Sequence, residues 1–487
     1  MLRSTAAAAR ARAPRTATPA TSPGVIRIGA RAFSSSTATL KQQLVILGSG
    51  WGGYELLRKV DRRRYDVTVL SPNSYFAFTP LLAGASVGTV DFNSCVEPVR
   101  RYGSDVTYYQ AWADKVDFKN KRITAMPATG SALRKRLNAQ TTDESNEALK
   151  PATSFPGYKP FTLTYDKLVI AVGCYSATFG IPGVSAHAYF LKDVRDAAKI
   201  RARILECFEL ACQPTVTDEE RRNLLNFVIV GGGPTGVEFA GELHDFLTSD
   251  LTRAYPQLVH LCKITIYDVA SHILGAFDKS LQQYAEDKYT RRGIAIKGNR
   301  HVTAVHEGAL DIKEEGRVHA GLMVWNTGLA PNPLIDSIDD LEKDPKTHSL
   351  QISETFNPRT REGKVLSDVF CIGDASALEN KLPATAQVAS QEAAWLARIL
   401  NAEVKQRASP GPFQFTNRGT MAYLGDWTAV VDRSKVEKGP QGELTGRAAW
   451  LLWRSAYLYQ SMSWRNMVSL LYHWFATWLG GRRLSRF

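Results

Sequence analysis

The sequence predicts an α/β fold in which one strand–turn–helix domain is nested inside another, with amphipathic helices at the C-terminus. Three observations predict it: two glycine-rich turns of the same form, an apolar run just ahead of each, and a basic, tryptophan-rich final segment. At 487 residues and 44% hydrophobic content, the chain exceeds what one core usually serves and can build two or three domains.

The first element is the apolar run Gln43-Leu44-Val45-Ile46-Leu47, read as a buried parallel strand. The turn 48–53, a helix over 54–60 and a strand over 66–70 then follow at βαβ spacing. Residues 126–160 turn to Ser, Thr, Pro, Lys and Glu without periodicity and read as a flexible insertion. A buried strand is expected at 168–173. A second strand–turn–helix unit opens at Phe227-Val228-Ile229-Val230 and runs through the turn 231–236. After 324–328 the chain returns to the first domain, with a last strand at 369–372. Residues 432–444, polar and glycine-containing, read as a linker. The expected domains are 41–220 with 346–432, then 221–345, then C-terminal helices over 446–487. No repeat of solenoid period is present.

The +13 net charge is unevenly spread. Residues 1–40 hold no acid, and Arg3, Arg10, Arg12, Arg15, Arg27 and Arg31 are scattered among Ala, Ser and Thr. That is the composition of a mitochondrial targeting peptide, with 31–36 like a matrix-processing site; a disordered basic tail is the plainer alternative. Setting those arginines aside leaves a modest excess that requires no nucleic-acid partner. Cys95, Cys174, Cys207, Cys212, Cys262 and Cys371 form no C-x-x-C pair and no zinc spacing, which points to a reducing compartment and no metal.

In G-x-G-x-x-G the first glycine makes the tight turn, the second admits a pyrophosphate to the backbone, and the third lets helix and strand pack closely. Gly48, Gly50 and Gly53 satisfy this, as do Gly231, Gly233 and Gly236. One copy is weak evidence, since a glycine turn is often only a tight loop. Two copies, each between an apolar strand and a helix, predict two nested Rossmann-like domains and two dinucleotides. Asp268 ends the second strand of the second unit, where a carboxylate accepts from a ribose 2′-hydroxyl and repels a 2′-phosphate, favouring NADH; a plain strand-end turn is the alternative. Ser71 holds the equivalent place in the first unit and does not identify its ligand. Asp374, in Cys371-Ile372-Gly373-Asp374-Ala375, could bond a flavin ribityl hydroxyl or cap a helix; its place after the second nucleotide domain favours the flavin.

Through these and further motifs, residues 41–487 resemble the type II, or alternative, NADH:ubiquinone dehydrogenases of mitochondria, close to the fungal members. Tyr75-Phe76-Ala77-Phe78-Thr79-Pro80-Leu81-Leu82 with Val87-Gly88-Thr89-Val90, the segment GGGPTGVEFAGEL from Gly231 to Leu243, and Ala386-Gln387-Val388-Ala389-Ser390-Gln391 carry the resemblance. It implies a non-covalent FAD, with Gly48, Ser49, Gly50, Trp51, Gly52 and Gly53 on its pyrophosphate, Asp374 on its ribityl chain, and Ser71, Thr79 and Gly173 nearby. It implies NADH as substrate along Gly231, Gly232, Gly233, Pro234, Thr235, Gly236 and Gly328, with Glu238 beside the nicotinamide and Asp268 at the ribose. Gln387 and Gln391 would border a ubiquinone site. Two departures stand out: Glu392 where relatives often have a second glutamine, and Ala83-Gly84 where many have Pro-Ser.

The implied reaction passes hydride from NADH to flavin and two electrons on to ubiquinone, without proton pumping, because no apolar stretch reaches the ~20 residues of a spanning helix. Residues 447–487 contain no acid but five tryptophans and arginines at 454, 465, 482, 483 and 486. Asn466, Ser469, His473 and Thr477 make a polar seam at helical spacing, and Met467, Leu470, Leu471, Trp474 and Trp478 an apolar stripe. Such a helix lies in a membrane interface or packs on the protein's own core or a second subunit; the resemblance favours membrane attachment, with homodimerisation through the same region. A position on the matrix side of the inner membrane is expected because no stop-transfer segment follows the expected targeting peptide and no EF-hand loop is present. His473 reads as a packed or interfacial residue. Sulfide:quinone oxidoreductases and disulfide reductases share the architecture but need paired redox cysteines, and Cys207 and Cys212 are poorly spaced for that task. The alternative from another class is an apoptosis-inducing-factor-like, NADH-sensing flavoprotein, against which the Gln387/Gln391 motif and the basic C-terminus argue.

Overall fold

The computed structural model describes residues 41–129, 159–437, 439–461 and 463–485. The expected targeting peptide lies outside these, as does most of the expected insertion. From Lys41 on, the described residues form one compact unit.

The strand β1 (Gln42–Leu47) runs into the glycine turn, and α1 (Trp51–Lys59) starts within it. Next come β2 (Tyr65–Ser71), β3 (Thr107–Asp117), β4 (Arg122–Pro127), β5 (Phe161–Thr164) and β6 (Lys167–Ile170). Leu44, Ile46 and Leu47 of β1 are all but inaccessible, as the unbroken apolar run requires of a strand covered on both faces. A second unit holds β7 (Tyr189–Phe190), α2 (Val194–Ala211), β8 (Asn226–Val230), α3 (Pro234–Phe246), β9 (Lys263–Tyr267), α4 (Lys279–Arg291), β10 (Ala295–Lys297) and β11 (Leu322–Trp325). The chain then returns as β12 (Val369–Cys371), which lies parallel beside β6.

The first sheet has the order β12-β6-β1-β2-β3-β4-β5, parallel through β3 and antiparallel beyond it. The second, β7-β11-β8-β9-β10, is parallel throughout. Tyr189 pairs with Val324, so the second sheet takes a strand from ahead of residue 221, where the sequence sets the boundary. Two residues carry too little periodicity to announce a strand.

After α5 (Ala386–Val404) comes an antiparallel sheet of β13 (Thr420–Gly425), β14 (Thr428–Asp432) and β15 (Glu443–Thr445), then α6 (Gly446–Gln460) and α7 (Trp464–Gly480). The expected linker at 432–444 is therefore largely the loop of a hairpin, in which Val431 pairs with Leu444 and Asp432 with Glu443. β15 is a short exposed edge strand, and polar edge residues look like linker in sequence. β13 packs on α3, so the end of the expected first-domain segment, 420–432, joins the second unit.

α7 corrects the seam reading. Asn466, Leu470 and Trp474 are buried. Asn466 Nδ2 donates to Glu97 Oε2 and to the Val96 carbonyl, both at 3.0 Å, Ser469 bonds Ser94 at 2.7 Å, and Thr477 donates to the Thr89 carbonyl at 3.3 Å. The polar seam thus faces the protein, because the 89–97 segment presents polar groups that must be satisfied there. Trp464, Val468, Leu471, Phe475 and Trp478 form the outward face, each more than half exposed.

Just beyond α7, Arg482 reaches back to α3 and the turn after it. Its guanidinium donates to Asp250 Oδ2 at 2.8 Å and to Glu242 Oε2 at 3.4 Å, and all three side chains are under 10% exposed. Removing one partner of a buried set leaves charge uncompensated. Arg482→Ala is therefore expected to cost about 3 kcal/mol of stability, read from denaturant or thermal midpoints at neutral pH. The loss should shrink at acid pH, where Glu242, already raised by burial, takes up a proton.

Candidate functional site

The two glycine turns use their residues alike. Gly48 and Gly231 have φ of 104° and 112°. A Cβ on either would sit 2.3 Å from the Ala171 carbonyl oxygen or 2.7 Å from that of Asn326. At Gly53 and Gly236 it would come within 2.1 and 2.0 Å of the first glycine's own carbonyl oxygen. At Gly50 and Gly233, the caps of α1 and α3, it would meet nothing within 4 Å. The outer glycines are thus consumed by strand–helix packing, while the middle one presents open backbone at a helix N-terminus. That surface fits an anionic pyrophosphate at both turns. Pro234 opens α3, where its missing N–H costs nothing, and Thr235 is exposed beside it.

Around the first turn, Gly52 packs toward Ile372. The buried Ser49 hydroxyl is within 2.9 Å of Ser71 Oγ and of the Tyr75 carbonyl. Ser71 is 3% exposed, so its hydroxyl is spent on holding the turn to the loop after β2. Trp51 Nε1 donates to Thr79 Oγ1 at 3.1 Å, with its ring edge-on to Phe76. Gly173, at φ 67°, is open to any added Cβ. Asp374 sits inside the short turn Gly373–Ala375, whose cap is Ile372, which removes the helix-cap alternative. The Cys174 thiol donates to Asp374 Oδ2 at 3.0 Å, and burial pushes that thiol up to about 11. Glu392, 3% exposed, accepts from the Gly373 N–H at 2.6 Å, and burial raises it to about 7.

Around the second turn, Asp268 follows β9 and accepts from the N–H of Gly232 and, at 2.7 Å, of Ala270. It braces the turn as well as bordering it. Gly328, at φ 73°, lies under the Phe179 ring, which a Cβ would strike at 2.2 Å.

Helix α3 leads from this turn with Glu238, Glu242 and Asp245 on one face, all buried. Glu238 Oε1 accepts from the Tyr423 N–H at 3.1 Å and from Trp453 Nε1 at 3.0 Å. Burial raises this acid to about 8, against the pull of both donors. Asp245 pairs with Arg292 and accepts from the Tyr423 hydroxyl at 2.8 Å. These residues border a cavity of about 610 Å³ between α3, residues 80–90, β13 and the C-terminal helices, with Trp450, Trp474 and Arg454 on its far wall.

Gln387 and Gln391 are not on that cavity's wall. On successive turns of α5, their amides bond main chain on both sides: Gln391 to Thr416 at 2.9 and 3.0 Å, Gln387 to Gly419 and Arg418 at 3.3 and 3.2 Å. They hold the segment that delivers β13 to Glu238. Glu242, Asp245, Trp453 and Arg482 escape the sequence reading. The signal that could have found the two acids is the spacing of Glu238, Glu242 and Asp245, three acids on one side of an otherwise apolar helix. All six cysteines are free thiols, and no group of three or more metal-ligating side chains occurs among the described residues.

Residues 42–393 match the family of pyridine nucleotide-disulphide oxidoreductases, and 417–483 match the NDH2 C-terminal domain. A probable NADH dehydrogenase of Dictyostelium discoideum is 37% identical over 451 residues, 92% of this chain and 91% of that protein. An internal alternative NAD(P)H-ubiquinone oxidoreductase A1, mitochondrial, of Solanum tuberosum is 36% identical over 468 residues, 92% and 88% of the two chains. The structure of NDH2 from Plasmodium falciparum in complex with NADH superposes at a TM-score of 0.80 with 25% identity, over 91% of this chain and all of that one. None of these relatives points to the apoptosis-inducing-factor kind. With both sheets, both glycine turns and the C-terminal helices accounted for, the chain belongs to the type II NADH:ubiquinone oxidoreductases, within the pyridine nucleotide-disulphide oxidoreductase family.

Proposed function

We propose that the chain carries one non-covalent FAD, oxidises NADH and reduces ubiquinone without pumping protons, as a peripheral enzyme of the mitochondrial inner membrane. The observation that carries this reading is the pair of equivalent glycine turns, in a chain whose folded length matches NADH–ubiquinone oxidoreductases throughout.

The first turn, Gly48 to Gly53, would hold the FAD pyrophosphate on the α1 N-terminus, with Ser71 bracing it, Thr79 and Gly173 flanking the ring and Asp374 on the ribityl chain. When bound, FAD accepts a hydride and releases two electrons. The second turn, Gly231 to Gly236, with Asp268 and Gly328, would seat NADH on the α3 N-terminus. Gln387 and Gln391 would border the quinone path through the segment they hold.

NADH plus quinone yields NAD⁺ and quinol only with one further proton. Glu238 is placed to hold it. Its donors both reach Oε1, so the acid proton belongs on Oε2. The carboxyl is neutral below about pH 8, so a step that draws on its proton is available there and is lost as the pH rises through that value.

The outward face of α7 suits an anionic lipid surface, since the described residues of 447–485 hold no acid and Arg447, Arg465 and Arg483 of this region are exposed. No described helix is long and apolar enough to cross a membrane. Homodimerisation through this region and a matrix-side position complete the proposal.

Anaerobic stopped flow on FAD-loaded protein tests it: NADH should bleach the flavin and a ubiquinone analogue should restore it. Bleaching without recovery would mean another acceptor. Glu238→Gln should leave bleaching in place but slow quinone-dependent turnover about 100-fold, and remove the decline above pH 8. Asp268→Asn, by removing charge beside the ribose, should raise NADPH relative to NADH in kcat/KM about tenfold; an unchanged ratio would leave Asp268 only its turn-bracing role.

A further inference from the structure

The Glu238 carboxyl depends on a group from outside its own nucleotide unit. Of its two donors, the Tyr423 N–H lies on β13, whereas the Trp453 indole belongs to α6. That helix turns Leu451, Leu452 and Tyr459 outward and buries Ala449 and Trp453. The indole is 7% exposed and cannot swing, since its ring leans on Tyr423 at 5.4 Å and meets Tyr457 edge-on at 4.9 Å. A phenyl ring would keep most of the aromatic contact with Tyr423 and Tyr457 but has no N–H to donate. What tryptophan adds is a buried N–H that must find an acceptor, and the acceptor here is an acid on the NADH helix.

We propose that Trp453 is a positioning residue for quinone reduction: its indole N–H fixes the Glu238 carboxyl through Oε1, aims Oε2 for proton delivery, and so ties that acid to the seating of helix α6. The inference rests on the reading of Glu238 as the proton-holding acid.

The surroundings leave few other sources of a pH response. On α3 itself Glu242 lies one turn on and disfavours the Glu238 anion; burial raises Glu242 too, against the pull of Arg482 and, from α6, of Arg454, so the Glu238→Gln arm of the test is what separates the two acids. From β13, α4 and α6, Tyr423, Tyr289 and Tyr457 face the site, and burial keeps all three hydroxyls protonated. Asp245, further along α3, is held by Arg292. A donor to the charged form favours ionisation, so losing the indole N–H should make Glu238 a weaker acid.

The test compares the pH dependence of quinone-dependent turnover in the native holoenzyme, Trp453→Phe and Glu238→Gln, with NADH-driven flavin bleaching measured on each. The native enzyme should lose activity above about pH 8. Trp453→Phe should keep that decline but move it about one pH unit higher, with bleaching within about twofold of native. Trp453→His, which restores a ring N–H, should bring it back toward the native position. A decline that stays in place in Trp453→Phe, whatever the rate, would reduce Trp453 to packing and overturn the proposal. A decline that persists in Glu238→Gln would instead remove Glu238 as the titrating acid, a separable failure. Should the phenylalanine variant not fold, Trp453→Met is the second donor-free form and is held to the same outcome.

Discussion

A helix that buries Glu238, Glu242 and Asp245 cannot do so alone, because each carboxyl taken from water must be neutralised or met by donors. None of the partners lies on α3. Tyr423 and Asp426 supply N–H groups from β13 and its turn, Arg292 comes from the end of α4, Trp453 from α6, and Arg482 from the chain's last described residues. The C-terminal region is therefore fastened to the second strand–turn–helix unit by the polar demands of one helix, and the cavity beside Glu238 is enclosed by the same contacts.

That fastening explains the orientation of α7. Its polar seam completes the hydrogen bonding of residues 89–97, and Arg482 closes the end of the helix onto Asp250 and Glu242. With its polar side committed inward, the helix can only present Trp464, Leu471, Phe475 and Trp478 outward. On a protein surface in water such a contiguous apolar face is unfavourable. At a lipid interface it is an asset. The same sequence pattern thus packs one face on the protein and leaves the other suited to the membrane attachment proposed above.

The nucleotide turns were the most legible part of the chain, because their requirement is local: a Cβ at Gly48, Gly53, Gly231 or Gly236 strikes a carbonyl contributed by the turn itself or the strand beside it. The parallel strands were legible for a related reason, since burial on both faces leaves an unbroken apolar run. Less was legible where one residue type serves two ends. Asp268 looked like a ribose ligand and also braces Gly232. Ser71 was free to bond a ligand on paper, yet its hydroxyl turns to Ser49. Gln387 and Gln391, conspicuous as a motif, spend their amides on the main chain of 416–419, and a polar hairpin passed for a linker.

The sequence by itself determined the two dinucleotide-type folds, their order along the chain and the amphipathic character of its end, since glycine geometry, apolar periodicity and charge distribution act over a few residues at a time. Only the tertiary structure decided which side of α7 faces the protein, which residue delivers a donor to Glu238, and where the acids of α3 find their cations. Those depend on groups up to 388 residues apart, as Thr89 and Thr477 are, and no local pattern encodes a contact that exists only once both sheets have packed.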